Sequence, residues 1–64
     1  MKGEKMKKLK QIRLERGISQ KEISEKTGLT RQTIHNIENG KQYPTLYNII
    51  KIAEVLEISV DELL

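Results

Sequence analysis

Apolar residues in this chain recur every three or four positions in short blocks, and small polar or glycine residues punctuate each block. No stretch alternates polar and apolar residues as a half-buried strand does, so helices are expected throughout. The first block, about residues 6–16, carries Leu9 and Ile12 and stops at Gly17, a residue that enters the left-handed region without a steric penalty. Ser19 opens a second helix to about Thr27, with Glu22 three residues on as the partner of a capping box. Gly28 turns the chain and Thr30 caps a third helix, which ends at Asn39 and Gly40. Pro44 closes the next loop, and Thr45 caps a fourth helix to about Leu56. Ser59 with Glu62 forms a second capping box before a short last helix over residues 60–64. Five helices joined by loops of about two to five residues make an all-α bundle.

Size limits how that bundle is held. A chain of 64 residues is near the length at which only about 60% of the unfolded surface is buried. It has no Cys, no Trp and no Phe, so the core has to be Ile and Leu with no disulfide to brace it. The second and third helices are marginal alone. They depend on Ile23, Leu29, Ile34 and Ile37 packing against the first and fourth helices, whose expected buried stripe is Leu46, Ile49, Ile50, Ala53 and Leu56. Residues 1–8 read as a basic N-terminal segment and residues 9–64 as the folded domain.

The same counts exclude several function classes. One His and no Cys cannot build a zinc site, so no metal or cofactor is expected. Ser19 and Ser59 are committed to caps, and His35 has no evident nucleophile partner, so catalysis finds no foothold. The basic start leads into no apolar run, which argues against a signal peptide, and Lys51 and Glu54 split the apolar pairs that a membrane span would need. The lack of cysteine fits a reducing cytoplasm.

What remains is a surface. In the third helix Ile34 and Ile37 point one way, while Arg31, Gln32, His35, Asn36 and Asn39 point away from them. Arg, Gln and Asn carry paired donors and acceptors that match guanine and adenine edges in the major groove. Charge agrees: residues 1–32 hold ten Lys/Arg against four Glu, and residues 33–64 hold two Lys against five Asp/Glu. Basicity gathered at one end suits a phosphate-facing surface, although a solvated lysine face reads the same way by counting alone. Lys5, Lys7, Lys8 and Lys10 fit that solvated reading better than an arm on DNA.

Gly17-Ile18-Ser19-Gln20, Thr27-Gly28-Leu29-Thr30, Ile34-His35-Asn36-Ile37-Glu38-Asn39-Gly40-Lys41, Pro44-Thr45-Leu46 and Ile58-Ser59-Val60-Asp61-Glu62-Leu63-Leu64 follow one another in fixed order. In that order the chain resembles helix-turn-helix regulators of the phage repressor/Cro type, the XRE family, with a lambda repressor-like fold. The resemblance implies a sequence-specific DNA-binding regulator, a repressor, whose third helix enters the major groove of double-stranded DNA. It implies base contacts from Arg31, Gln32 and Asn36, with His35 on the same face as a further candidate. It implies phosphate contacts from Gln20, Thr33, Asn39 and Lys41, and an ion pair between Arg13 and Glu38. Two positions depart from the family pattern. Ser24 stands where a small Ala is usual, and Glu57 where Gly is usual, so the end of the fourth helix is expected to close differently.

A two-fold operator calls for a homodimer, and Val55, Ile58, Val60, Leu63 and Leu64 are the apolar residues available for its interface. No small-molecule ligand and no membrane partner are indicated. The alternative is an antitoxin-like or protein-interaction module in which DNA contact is secondary.

Overall fold

The computed structural model describes residues 6–64, except for the side chain of Lys7. Lys5 and the Lys7 side chain therefore lie outside the described residues. Five helices follow one another with no strand among the described residues: α1 (Lys7–Glu15), α2 (Gln20–Thr27), α3 (Arg31–Glu38), α4 (Leu46–Leu56) and α5 (Val60–Leu63). None is long and apolar enough to cross a membrane.

Their starts are set by side-chain oxygens. Ser19, Thr30, Thr45 and Ser59 are all in extended backbone, and each accepts a hydrogen bond from the amide three residues on, at Glu22, Thr33, Asn48 and Glu62. The reciprocal half of the box forms at Ser59, where Glu62 Oε1 accepts from the Ser59 amide at 3.1 Å. The box expected at Ser19 is only half made. Glu22 turns its carboxylate to Lys26 Nζ at 3.1 Å, the neighbour one turn along the helix.

Three helix ends share one closure. After α1 the amides of Gly17 and Ile18 bond the carbonyls of Leu14 and Arg13; after α3 those of Gly40 and Lys41 bond Ile37 and Asn36. After α4 the amides of Glu57 and Ile58 bond Glu54 and Ala53. Each is the paired 5→2 and 6→1 pattern that requires one left-handed residue. Gly17 and Gly40 supply it freely, but Glu57 holds φ 59° and ψ 42° with a side chain attached. The different closure expected at Glu57 does not occur: the carbonyls of Ala53 and Glu54 are satisfied in the usual way, and the backbone carries the strain.

The core is Met6, Leu9, Ile23, Ile34, Ile37, Ile49, Ile52, Ala53, Leu56 and Leu63. α2 packs on α3 and α4, α1 on α3, and α4 on α5. Three expectations need correction. In α4 the buried stripe includes Ile52, while Leu46 and Ile50 face solvent, 66% and 41% exposed. Leu63 is fully buried within the single chain, where it closes the core beneath α5, and so is not free for a dimer interface. Met6 is also fully buried, so the packed unit reaches into the segment read as a basic arm.

Relief of the strain at Glu57 should be measurable. A left-handed non-glycine residue costs roughly 1–2 kcal/mol, part of which glycine returns through its freer unfolded state. Glu57→Gly is expected to raise stability by about 0.5–1 kcal/mol in urea unfolding. Lower stability for this variant would show that the Glu57 side chain holds the turn together.

Candidate nucleic-acid interface

The turn between α2 and α3 is fastened by hydroxyls. Thr27 Oγ1 donates to the Ile23 carbonyl at 2.7 Å and accepts from the Leu29 amide at 3.2 Å. Ser24 Oγ donates to the Leu29 carbonyl, and Gly28 turns the chain at φ 83°. Leu29, packed against the core, anchors the turn from below. Ala at position 24 could not make the Ser24 bond, so the departure noted there adds a staple between the two helices. Sequence reasoning missed both hydroxyls, because Ser and Thr near a helix end read first as caps or small fillers.

The direction of α3 is fixed at its far end by charge. Arg13 Nε donates to Glu38 Oε2 at 2.8 Å and Arg13 Nη2 donates to Glu38 Oε1 at 3.2 Å, a two-pronged contact. Arg13 Nη1 also donates to the Ile18 carbonyl at 3.2 Å, and Gln20 Nε2 donates to Glu38 Oε1 at 3.1 Å. Both charged residues are buried, at 8% and 7% exposure. Two charges out of water are tolerated only when paired and further hydrogen-bonded, and here four bonds meet that condition. No buried side-chain nitrogen or oxygen among the described residues lacks a partner. The last residue of α3 is thus joined to α1, to the α1–α2 loop and to the first residue of α2. Gln20, expected as a phosphate contact, sits half-buried in this network at the α2 N-terminus.

The outer face of α3 is polar and organised. Arg31, Gln32, His35 and Asn39 are exposed, Asn36 and Thr33 are half-buried, and Ile34 and Ile37 beneath them are fully buried. By the helical period Arg31 stands on the flank, about 90° from the mean Ile34–Ile37 direction, and Gln32 and Asn39 stand opposite it. Two i,i+4 pairs order this face. Gln32 Nε2 donates to Asn36 Oδ1 at 3.0 Å, and Asn39 Nδ2 donates to the His35 carbonyl at 2.9 Å while lying 3.1 Å from His35 Nε2. The spacing of these residues was visible in the sequence, but their use of one another was not read from it. Thr33 Oγ1 accepts from Thr30 Oγ1 at 2.9 Å at the α3 N-terminus, and Lys41 is exposed just past the α3 C-terminus. Tyr43 is exposed beside it.

The dimer candidates divide. Leu64 is 46% exposed, Val55, Ile58 and Val60 are half-buried against the core, and Leu63 is inside it. An open hollow lined by Arg16, Ile18, Glu22, Lys26, Val55, Leu56 and Glu57 includes no residue of α3. No cluster of three or more His, Cys, Asp or Glu suited to a metal occurs among the described residues.

Comparison with known proteins adds to this geometry. A family model described as helix-turn-helix matches residues 9–63. The transcriptional repressor RstR of the cryptic phage CTXphi of Vibrio cholerae is 38% identical over 45 residues, covering 70% of this chain and 40% of RstR. The HTH-type transcriptional regulator YgzD of Bacillus subtilis is 34% identical over 55 residues, covering 86% of this chain and 83% of YgzD. The crystal structure of the restriction-modification controller protein C.AhdI from Aeromonas hydrophila superposes with a TM-score of 0.87 at 31% identity, covering 95% of this chain and 97% of that one.

The ion pair makes a sharp mutational prediction. Removing one partner strands a buried charge, at a cost of about 3–5 kcal/mol, a large part of the stability of a domain this small. Arg13→Met and Glu38→Leu should each destabilise strongly, while the double variant, with no charge left to bury, should recover most of the loss. Additive losses in that double-mutant cycle, read by denaturant unfolding, would show the two residues to be energetically independent.

Proposed function

We propose, on the premise that this chain belongs to the helix-turn-helix family of DNA-binding transcription regulators, that it represses transcription by inserting α3 into the major groove of an operator. One observation carries the reading. α3 buries Ile34 and Ile37 completely and turns a face of Arg, Gln, His and Asn side chains to solvent, with no acidic residue on it. Phosphates repel carboxylates and base edges match amides and guanidinium, so such a face fits duplex DNA better than an ordinary solvated surface. Arg31, Gln32 and Asn36 are the base-directed residues, with His35 beside them. Gln20, Thr33, Asn39 and Lys41 surround them at helix ends, where side chains and free amides meet phosphate. A protein seated on an operator excludes others from it, which is repression without a chemical step.

One α3 covers few base pairs, so selectivity against many competing sites calls for two copies on a two-fold operator, with half-sites about 34 Å apart. Leu64, with the exposed edges of Val55, Ile58 and Val60, is the surface for that contact. Action inside the cytoplasm, where the operator lies, follows from the same reading.

Fluorescence anisotropy on preferred and random duplexes at two salt concentrations tests it. Arg31→Ala should cost about 1–3 kcal/mol on the preferred site alone. Lys41→Ala should weaken all sequences alike and lower the salt slope by about one. Identical behaviour of the two variants on both duplexes would overturn the assignment, and absence of binding even at low salt would favour a protein-interaction module. Sedimentation on the same operator-length duplex should show two copies, reduced to one by Leu64→Lys; a single wild-type copy would remove the dimer and leave DNA binding standing.

A further inference from the structure

Five polar side chains share the outer face of α3, yet two of them already face each other. Gln32 Nε2 donates to Asn36 Oδ1 at 3.0 Å, and of the two Gln32 is exposed while Asn36 is half-buried. That bond uses one of the two Nε2 hydrogens. It leaves Gln32 with one N–H and its carbonyl oxygen, a single donor beside a single acceptor. Turning the Gln32 amide over would set its oxygen against Asn36 Oδ1, so the bond also decides which end of the amide faces which way. The neighbouring pair does not disturb this arrangement, because Asn39 Nδ2 is taken up by the carbonyl and ring nitrogen of His35.

We propose that Gln32 and Asn36 read one base pair jointly, Gln32 contacting adenine through its free N–H and carbonyl oxygen and Asn36 acting as the residue that positions the Gln32 amide. Adenine is the base whose major-groove edge offers one acceptor, N7, beside one donor, N6–H. A fixed amide presents the complementary pair without losing side-chain freedom on binding, which favours affinity as well as selectivity. This rests on the DNA-reading function proposed above and deepens it. It assigns an adenine to one operator position and gives Asn36 a different role from Arg31.

Selection of bound sequences from randomised duplexes, with the full chain and each variant, separates the possibilities. The wild type should select adenine at one position of each half-site. Gln32→Ala and Asn36→Ala should both lose about tenfold or more of that preference, at the same base pair, and the double variant should lose no more than Gln32→Ala alone. Asn36→Asp keeps an acceptor for Gln32 Nε2, so it should retain the adenine preference while total affinity falls near the phosphates. Melting temperatures unchanged across the series would exclude a merely structural effect, which would lower affinity for all sequences alike. Loss of preference at a different base pair in Asn36→Ala would make Asn36 a direct reader and overturn the proposal, as would selection of another base at the Gln32 position. A wild type that selects no sequence and binds without salt dependence would overturn the DNA-reading function itself.

Discussion

The buried pair of Arg13 and Glu38 is the contact on which the arrangement of this small protein depends. Its core is aliphatic throughout, and aliphatic contacts are tolerant of sliding: many rotations of one helix on another bury similar areas. A charge pair is not tolerant. Two prongs between guanidinium and carboxylate, with a third Arg13 bond to the Ile18 carbonyl and a Gln20 bond to Glu38, are satisfied in one relative placement of α1, α2 and α3. Any other placement leaves a charge buried without its partner. Net stability gained from such a pair is small beside its value in selecting one docking angle for α3.

The other end of α3 is fixed by different means. Thr30 caps its first turn, while Ser24 and Thr27 tie the preceding turn to α2 through hydroxyls. A helix of eight residues does not persist alone in water. Held at its start by caps and at its finish by Glu38, it becomes a rigid platform whose outer side chains then order one another. Gln32 meets Asn36 and Asn39 meets His35 on a backbone that is already placed. The order of causes runs from the core, through the ion pair and turn, to the polar face.

Much of this was legible in the sequence where one residue decides one feature. Ser19, Thr30, Thr45 and Ser59 marked the starts of four helices, and Gly17 and Gly40 marked two ends. Where several residues could serve equally, pattern was not enough. α4 is apolar on most of its circumference, so the helical wheel admits more than one buried stripe, and docking on α2 and α5 chose the one with Ile52 in place of Leu46 and Ile50. The chosen face is rotated by about 50° from the expected one, half the turn of a single residue. Leu63 was misjudged for a related reason. A terminal apolar residue serves a core or an interface equally well until the last helix is placed. Glu57 shows the reverse, a local conformational penalty overridden because the carbonyls of Ala53 and Glu54 still required partners.

The central claim is that the outer face of α3, and no other surface, meets DNA. Nitrogen–proton correlation spectra of the labelled protein, titrated with an operator-length duplex at low salt, test it most directly. The account predicts that the side-chain amides of Gln32, Asn36 and Asn39 and the backbone amides of residues 31–41 move most, with those of Gln20 and Thr33 among the next. Unmoved α3 signals, with the largest shifts at the exposed α4 residues Leu46, Tyr47 and Ile50, would contradict it.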